Sequence, residues 1–337
     1  MSATHILVGN PTAQSGKNAA RIERARLALE RAGVACDLLA TLPAGATIEA
    51  VRNALDQGSH RCVIAMGGDG TFREVASGLL ESKRAREVAM GMLPTGTAND
   101  QGRSFGLEAV DESLEDNVGV VVKGSETFLD AGTVTAMAKD GAPVARAFFF
   151  DSLGWGISAR TLAARNLDRK VVEATPVLRE VYRDKLVYAG ALLRTFLESY
   201  VTSDKFTVKA EVDGEEIELG GLTDLIIKGT RIYGGAWVFD RTSRHDDGLF
   251  EVVPFHGKRD WTSKAIVDFE DNPITEEMLN SVGIEHSKPF RISSLDLTFD
   301  YPEGSAKPAA QIDGEEFVAT ARAKVEVLPR ALRLIVP

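Results

Sequence analysis

The stretch Val63-Ile64-Ala65-Met66-Gly67-Gly68-Asp69-Gly70-Thr71 constrains this chain more than any other. A continuous apolar run breaks into three glycines around one aspartate. It ends in a threonine able to cap a helix over Phe72 to Leu80, so the pattern predicts buried strand, tight turn and helix. Such a turn suits an anion: glycines admit close backbone approach, and the free N–H groups of a helix start point at the charge. Asp69 is the odd member. A carboxylate inside an anion-binding turn repels phosphate, so Asp69 is expected to steer a magnesium ion or the backbone itself. A plain strand-to-helix turn is the alternative these nine residues leave open.

The surrounding sequence repeats the strand-then-helix theme. His5 to Gly9 is a predicted strand, and Asn18 to Ala32 a helix closed by Gly33. Val34 to Leu39 is a second strand, Thr47 to Gln57 a helix opened by its threonine, Cys62 to Met66 a third strand and Val88 to Leu93 a fourth. Alternation of this kind predicts a parallel sheet with ligands at its carboxyl edge. The loop Asn10 to Asn18 is not a Walker A motif, because its glycine spacing is wrong and Asn18 stands where Ser or Thr would hold magnesium. It can still line a nucleotide site. The fourth strand ends in a second small polar loop, Pro94-Thr95-Gly96-Thr97-Ala98-Asn99-Asp100, and one convergent site would bring Gly67 to Thr71 together with Gly96 to Asp100.

After Asp130 short β-rich runs take over: Phe128 to Thr135, Ala145 to Phe150, Phe206 to Val212, Leu222 to Lys228, Leu249 to Phe255, Phe290 to Phe299, Phe317 and Lys324 to Leu328. These predict an antiparallel sandwich, with the repeated Asp-Gly-Glu-Glu at Asp213 and at Asp313 as hairpin turns. The expected organisation is a nucleotide-binding α/β domain over 1–129 and a β-rich substrate domain over 130–337, with the extreme C-terminus returning to the first. A helical interruption, Arg160 to Tyr200, carries eight Lys/Arg against five Asp/Glu in a chain of net charge −10. It reads as an amphipathic pair packed on the sandwich or as a lipid-facing surface. The acidic balance disfavours nucleic acid. Cys36 and Cys62 have no metal-like spacing, and no window approaches the roughly 20 apolar residues of a spanning helix. A cytoplasmic protein is expected, with peripheral contact to the inner face of the membrane and homodimer formation left open.

With Gly67 to Thr71 followed by Glu74-Val75 and Gly78-Leu79, and then Pro94 to Asp100, the chain resembles the diacylglycerol kinase catalytic family, and among its members the soluble bacterial lipid kinases, including those similar to sphingosine kinases. Further matching motifs follow in order: Asn10-Pro11 with Ser15-Gly16-Lys17, Asp130-Ala131-Gly132, Gly154-Trp155-Gly156, Tyr233-Gly234-Gly235, Asp246-Asp247-Gly248-Leu249 and Gln311-Ile312-Asp313-Gly314-Glu315. The glycine turn alone is shared with NAD kinases and phosphofructokinases.

The resemblance implies an ATP-dependent kinase for a lipid substrate with a free hydroxyl, such as diacylglycerol, with a fold like that of the NAD and diacylglycerol kinases. ATP would be held by Asn10, Pro11, Ser15, Gly16, Lys17, Gly67, Gly68, Asp69, Gly70, Thr71, Glu74, Gly96, Thr97, Asn99 and Asp100. The late Asp-Gly-Glu would be catalytic, with Asp313 as base, Glu315 beside it and Asp130 supporting through a metal and water network. Asp213 lacks the preceding Gln-Ile and is left as a hairpin turn. A structural Mg2+ would sit at Asp247 and the Leu249 carbonyl; a turn with solvated acids is the alternative. Arg160 stands near where sphingosine kinases carry an acid, and a guanidinium repels an ammonium. Gln101-Gly102-Arg103 also departs from the usual continuation. The competing readings are a soluble-metabolite kinase of the NAD kinase or phosphofructokinase type and a non-catalytic nucleotide- or lipid-binding protein.

Overall fold

The computed structural model describes residues 4–12, 17–96, 99–160, 162, 205–233, 238, 240, 242–257, 260, 288–302 and 305–337. Ser15, Gly16, Thr97, the Gly234-Gly235 pair and the basic segment beyond residue 162 lie outside these. The first part of the chain runs β1 (His5–Gly9), α1 (Lys17–Arg31), β2 (Cys36–Ala40), α2 (Ala46–Gln57), β3 (Cys62–Gly67), α3 (Asp69–Glu81), β4 (Ala89–Pro94), α4 (Asp100–Ser104) and α5 (Leu114–Lys123). The strands pair in parallel in the order β2-β1-β3-β4. Helices cover both faces of the central strands, which is why β3 and β4 are nearly continuous apolar runs buried along their length. On α3 the buried Phe72, Val75, Ala76 and Leu79 recur at helical spacing and form one stripe.

The remainder comprises β5 (Glu126–Met137), β6 (Pro143–Phe149), β7 (Ser152–Gly156), β8 (Phe206–Val212), β9 (Glu215–Leu222), β10 (Asp224–Lys228), β11 (Phe250–Phe255), β12 (Phe290–Ile292), β13 (Ser294–Asp300), β14 (Ala310–Ile312), β15 (Glu315–Phe317) and β16 (Arg322–Ile335). Six of these form an antiparallel sheet in the order β12-β11-β10-β7-β14-β15. It packs on a sheet containing β5, β13, β8 and β9 through a shared core that includes Trp155, Phe206, Leu225, Phe250, Leu297 and Phe299. The expected α/β part and antiparallel sandwich are therefore both present.

One ribbon joins them. β16 lies antiparallel to β5 along nearly its whole length, next to β13 at one end and parallel to β4 at the other. A register shift between Leu328 and Leu332, with Arg330 at φ +51°, bends it on the way. The C-terminus thus completes the first sheet, and position 130 falls inside strand β5.

Several local expectations are corrected. Thr71 does not cap α3; the helix starts at Asp69 with Gly68 at the cap, and Thr71 lies in its first turn. Thr47 likewise lies inside α2, behind Gly45, with its hydroxyl bonded to Leu42. The run Phe290 to Phe299 is two strands, broken where the Ser293 N–H turns aside to the Asp213 carboxylate. Strand β7 has no clear signature, because two glycines in Ser-Leu-Gly-Trp-Gly blur the alternation.

Candidate active site

The two glycine loops meet backbone to backbone. The Thr95 N–H donates to the Gly67 carbonyl at 2.9 Å. A Cβ on Gly96 would lie 2.6 Å from the Gly68 Cα, so only glycine permits this approach. Asn99, in the left-handed region at φ +52°, accepts the Gly96 N–H on its side-chain oxygen at 2.9 Å and fixes the second loop. Asp69 accepts the Gln101 N–H at 3.3 Å, which ties α3 to α4. Burial, and then the nearby Asp151, push its carboxyl up to about 6.

A crevice between these loops is lined by Gly67, Gly68, Asp69, Pro94, Asn99 and Gln101. The Asn99 Nδ2 and both polar atoms of the Gln101 amide are buried without a hydrogen-bond partner among the described residues. Orphaned buried amides are costly in a folded protein and are expected where a ligand supplies the partner. With the N–H groups at the start of α3, they fit a bound phosphate ester. Asp100 is buried at the start of α4, and Glu74 is half-buried on α3. In the first loop, Asn10 accepts the Thr12 N–H and hydroxyl, its carbonyl accepts the Asn18 Nδ2, Pro11 lies beside it, and Lys17 opens α1. Asn18 closes this loop on itself, so the position that would hold magnesium in a Walker A motif is structural here.

The second lobe brings Asp313 to this site. Both Asp-Gly-Glu-Glu copies form two-residue hairpins with consecutive positive φ values, at Asp213-Gly214 and Asp313-Gly314. In both, the aspartate also accepts backbone N–H groups where the chain enters a neighbouring strand. Asp213 takes those of Ser293 and Ser294, and Asp313 takes those of Phe150, Asp151 and Ser152 at 2.8–3.2 Å. Their surroundings set opposite chemistry. Hydrogen bonds from the Ser293 side chain hold Asp213 below the usual range. Asp313 is 4% exposed, and burial followed by repulsion from Asp151 push its carboxyl from 3.8 up to about 7. That displacement is worth roughly 4 kcal/mol in favour of the protonated acid, so desolvation outweighs three backbone donors.

Contacts across the lobes place this hairpin over the glycine turn. Glu315 pairs with Arg73 of α3, and a Cβ on Gly70 would lie 2.5 Å from Glu315 Oε1. Phe72 meets Phe150 edge to face at 5.8 Å. The first turn of α3 therefore holds both the loop N–H groups and the hairpin that carries Asp313.

Asp130 sits elsewhere in the network. It is fully buried and accepts the Gly248 N–H at 2.6 Å and the Arg330 N–H at 2.5 Å, pinning the Asp246–Leu249 loop to the bend of β16. Burial raises its carboxyl. The expected magnesium position does not fit the ion. The Asp247 carboxylate accepts the Leu249 N–H and lies 3.7 Å from Arg291. Arg291 also faces Asp240 at 3.3 Å and Glu251 at 3.6 Å, and donates to Thr242. A guanidinium thus supplies the positive charge there. Among the described residues no group of three or more His, Cys, Asp or Glu is placed to hold a metal ion.

Four residues of this region escape sequence reasoning: Gln101, Arg73, Asp151 and Lys228. Gln101 appears only as a departure from a motif. The other three matter through strand register and inter-lobe packing, which no local pattern encodes.

Comparison with known proteins gives a consistent picture. The sequence profile of the diacylglycerol kinase catalytic domain matches residues 4–134. The "Probable lipid kinase YegS-like" of Enterobacter sp. (strain 638) is 44% identical over 72 residues, 21% of this chain and 23% of that protein. The diacylglycerol kinase of Staphylococcus saprophyticus is 34% identical over 133 residues, 39% of this chain and 41% of that protein. The matches therefore span less than half the length of these two relatives. A solved diacylglycerol kinase structure from Bacillus anthracis str. Sterne superposes over 100% of this chain and 98% of that one, with a TM-score of 0.69 at 18% identity, and so shares the fold. Residues 4–134, with the paired glycine loops they build, are what this chain shares with the diacylglycerol kinase catalytic domain.

Proposed function

We propose that the protein is a lipid kinase that transfers the γ-phosphoryl group of ATP to the hydroxyl of a lipid of the diacylglycerol class. The observation that carries this reading is the juxtaposition of a buried acid, Asp313, with the glycine turn, through Glu315–Arg73 and Phe150–Phe72. Phosphoryl transfer asks for phosphates held by backbone N–H groups and a carboxylate beside the attacking hydroxyl. The Gly67 to Thr71 and Gly96 to Asp100 loops supply the first. Asp313 supplies the second: its Oδ2 accepts one backbone N–H, from Phe150, where Oδ1 accepts three, which leaves capacity for the substrate proton. The lipid oxygen bonds to the γ-phosphorus as the bond from that phosphorus to the bridging oxygen breaks, ADP leaves, and the proton passes to Asp313. Magnesium accompanying the nucleotide offsets phosphate charge; no step here depends on an ion at Asp247. The test is an acceptor panel with ATP and magnesium, comparing dispersed diacylglycerol with NAD and fructose 6-phosphate. Phosphorylated diacylglycerol is expected. Turnover confined to the soluble acceptors would overturn the reading.

Substrate in a bilayer requires the enzyme to reach it. The net basic, apolar segment from Arg160 to Tyr200 in an otherwise acidic chain supports peripheral attachment to anionic membranes. Each Lys or Arg near such a surface contributes about 1 kcal/mol, weakened by salt. Reversing Arg179, Arg183 and Lys185 to Glu is expected to abolish cosedimentation with phosphatidylserine-containing vesicles at low salt. Undiminished binding would assign the segment a purely internal role.

A further inference from the structure

The six-stranded sheet carries a row of charged and polar side chains that no local sequence pattern announces. Register places Arg291 of β12 opposite Glu251 of β11, Glu251 opposite Lys228 of β10, and Lys228 opposite Ser152 of β7. Residues directly opposite on antiparallel strands share a face of the sheet. The row ends at the proposed base, because the Ser152 N–H donates to Asp313 at 3.0 Å and the Ser152 carbonyl accepts the Asp313 N–H at 2.7 Å. Glu251, Lys228 and Ser152 are each 2% exposed. Asp151, also buried, lies just before β7. Its N–H donates to Asp313, its carboxylate accepts the Thr230 hydroxyl, and its carbonyl accepts the Gly229 N–H, which anchors it to the segment that follows Lys228.

A buried lysine at the end of a central strand demands an explanation, since burying an ammonium costs several kcal/mol without compensation. The Lys228 ammonium donates to the Arg231 carbonyl at 2.6 Å. Among the described residues, the charged groups facing it include Asp151, Glu251, Asp100 of α4 and Asp240. Burial drives Lys228 down and Asp151 up, and their mutual attraction opposes both movements. Among the described residues the charged groups facing Asp313 are Asp151 and Arg73, the latter already paired with Glu315, and Asp151 also faces Asp69 of α3. Asp151 is therefore the link common to the lysine and the acid.

We propose that Lys228 is a positioning residue of this site: it keeps Asp151 ionised as its buried counter-ion and, through Asp151, sets the proton affinity of the Asp313 carboxylate. The catalytic consequence rests on the lipid-kinase reading above; the electrostatic linkage does not. Without the ammonium, buried Asp151 takes up a proton, its repulsion of Asp313 disappears, and Asp313 becomes a stronger acid and a weaker base.

The test is a carboxyl 13C NMR titration of the ligand-free, full-length protein labelled at aspartate, with Asp313→Asn identifying the resonance. In the wild type the midpoint is expected near 7. In Lys228→Met it should fall by about one pH unit, in Asp151→Asn it should fall likewise, and in Lys228→Arg it should stay. The double variant Asp151→Asn/Lys228→Met removes both buried charges and tests the linkage even where Lys228→Met alone fails to fold. Its midpoint should equal that of Asp151→Asn. A wild-type midpoint in folded Lys228→Met, or a double variant that differs from Asp151→Asn, would overturn the proposal. The acidic limb of the kcat/KM profile for lipid phosphorylation should move in parallel. A wild-type protein without turnover that still shows the NMR shifts would break the functional reading and leave the linkage standing.

Discussion

Asp313→Asn is expected to keep its fold and its ATP affinity and to lose roughly 10²-fold or more in lipid phosphorylation, the scale of a positioned general base. The fold should survive because the amide oxygen of asparagine can accept the same Phe150, Asp151 and Ser152 N–H groups that Asp313 Oδ1 accepts. Stability should even improve at alkaline pH. The carboxyl of Asp313 is raised in the folded state to about 7, so its ionisation opposes folding, and stability present at low pH is lost as pH rises through 7. The neutral amide removes that loss. Activity follows the opposite sign, because the base must be deprotonated: wild-type kcat/KM should rise with an acidic limb near 7 and level off above it. Asp213→Asn is the control, since it alters the same turn in an exposed hairpin whose aspartate is held low by Ser293. Equal losses in the two variants would remove Asp313 from the reaction.

Gly96→Ala is expected to weaken ATP binding about 10- to 100-fold while the protein stays folded. A Cβ there would stand 2.6 Å from the Gly68 Cα and 3.0 Å from Asn99 Oδ1, so the two loops must part. Overpacking of this kind costs about 1–3 kcal/mol, which converts to that range of affinity when the strain falls on the bound arrangement. Gly68→Val should act in the same direction from the other side of the contact. Gly119→Ala on α5, where a new Cβ meets nothing within 4 Å, should leave ATP binding unchanged and firm the helix. Calorimetric titration of ATP into each variant decides the matter, and an unaltered affinity in folded Gly96→Ala would separate the glycine contact from the nucleotide site.

What the sequence discloses and what it withholds divide along a physical line. The glycine turns, the Asn99 and Asp100 loop and the two Asp-Gly hairpins are legible because their chemistry is local: special φ values and short spacings are written in consecutive residues. The parallel sheet is legible because burial on both faces leaves uninterrupted apolar runs. By contrast, the pairing of charge between Asp151 and Lys228 depends on which strands neighbour β10 and in what register, since the two lie 77 positions apart in the chain. The placement of Arg291 among Asp240, Asp247 and Glu251 turns an apparent metal loop into an ion-pair cluster, a substitution visible only after β11 and β12 pair. Thr71 and Thr47 show the limit of capping rules, since each helix begins at least one residue before the threonine and a glycine serves at the cap.

The joint use of both lobes is most directly measured by incubating wild type and Asp313→Asn with γ-labelled ATP, magnesium and a total lipid extract, then separating lipid from aqueous products. The account predicts label on a hydroxyl-bearing lipid with the wild type and almost none with the variant, although both bind ATP equally. Label that stays in the aqueous fraction, or a lipid product formed as fast by Asp313→Asn, would contradict it.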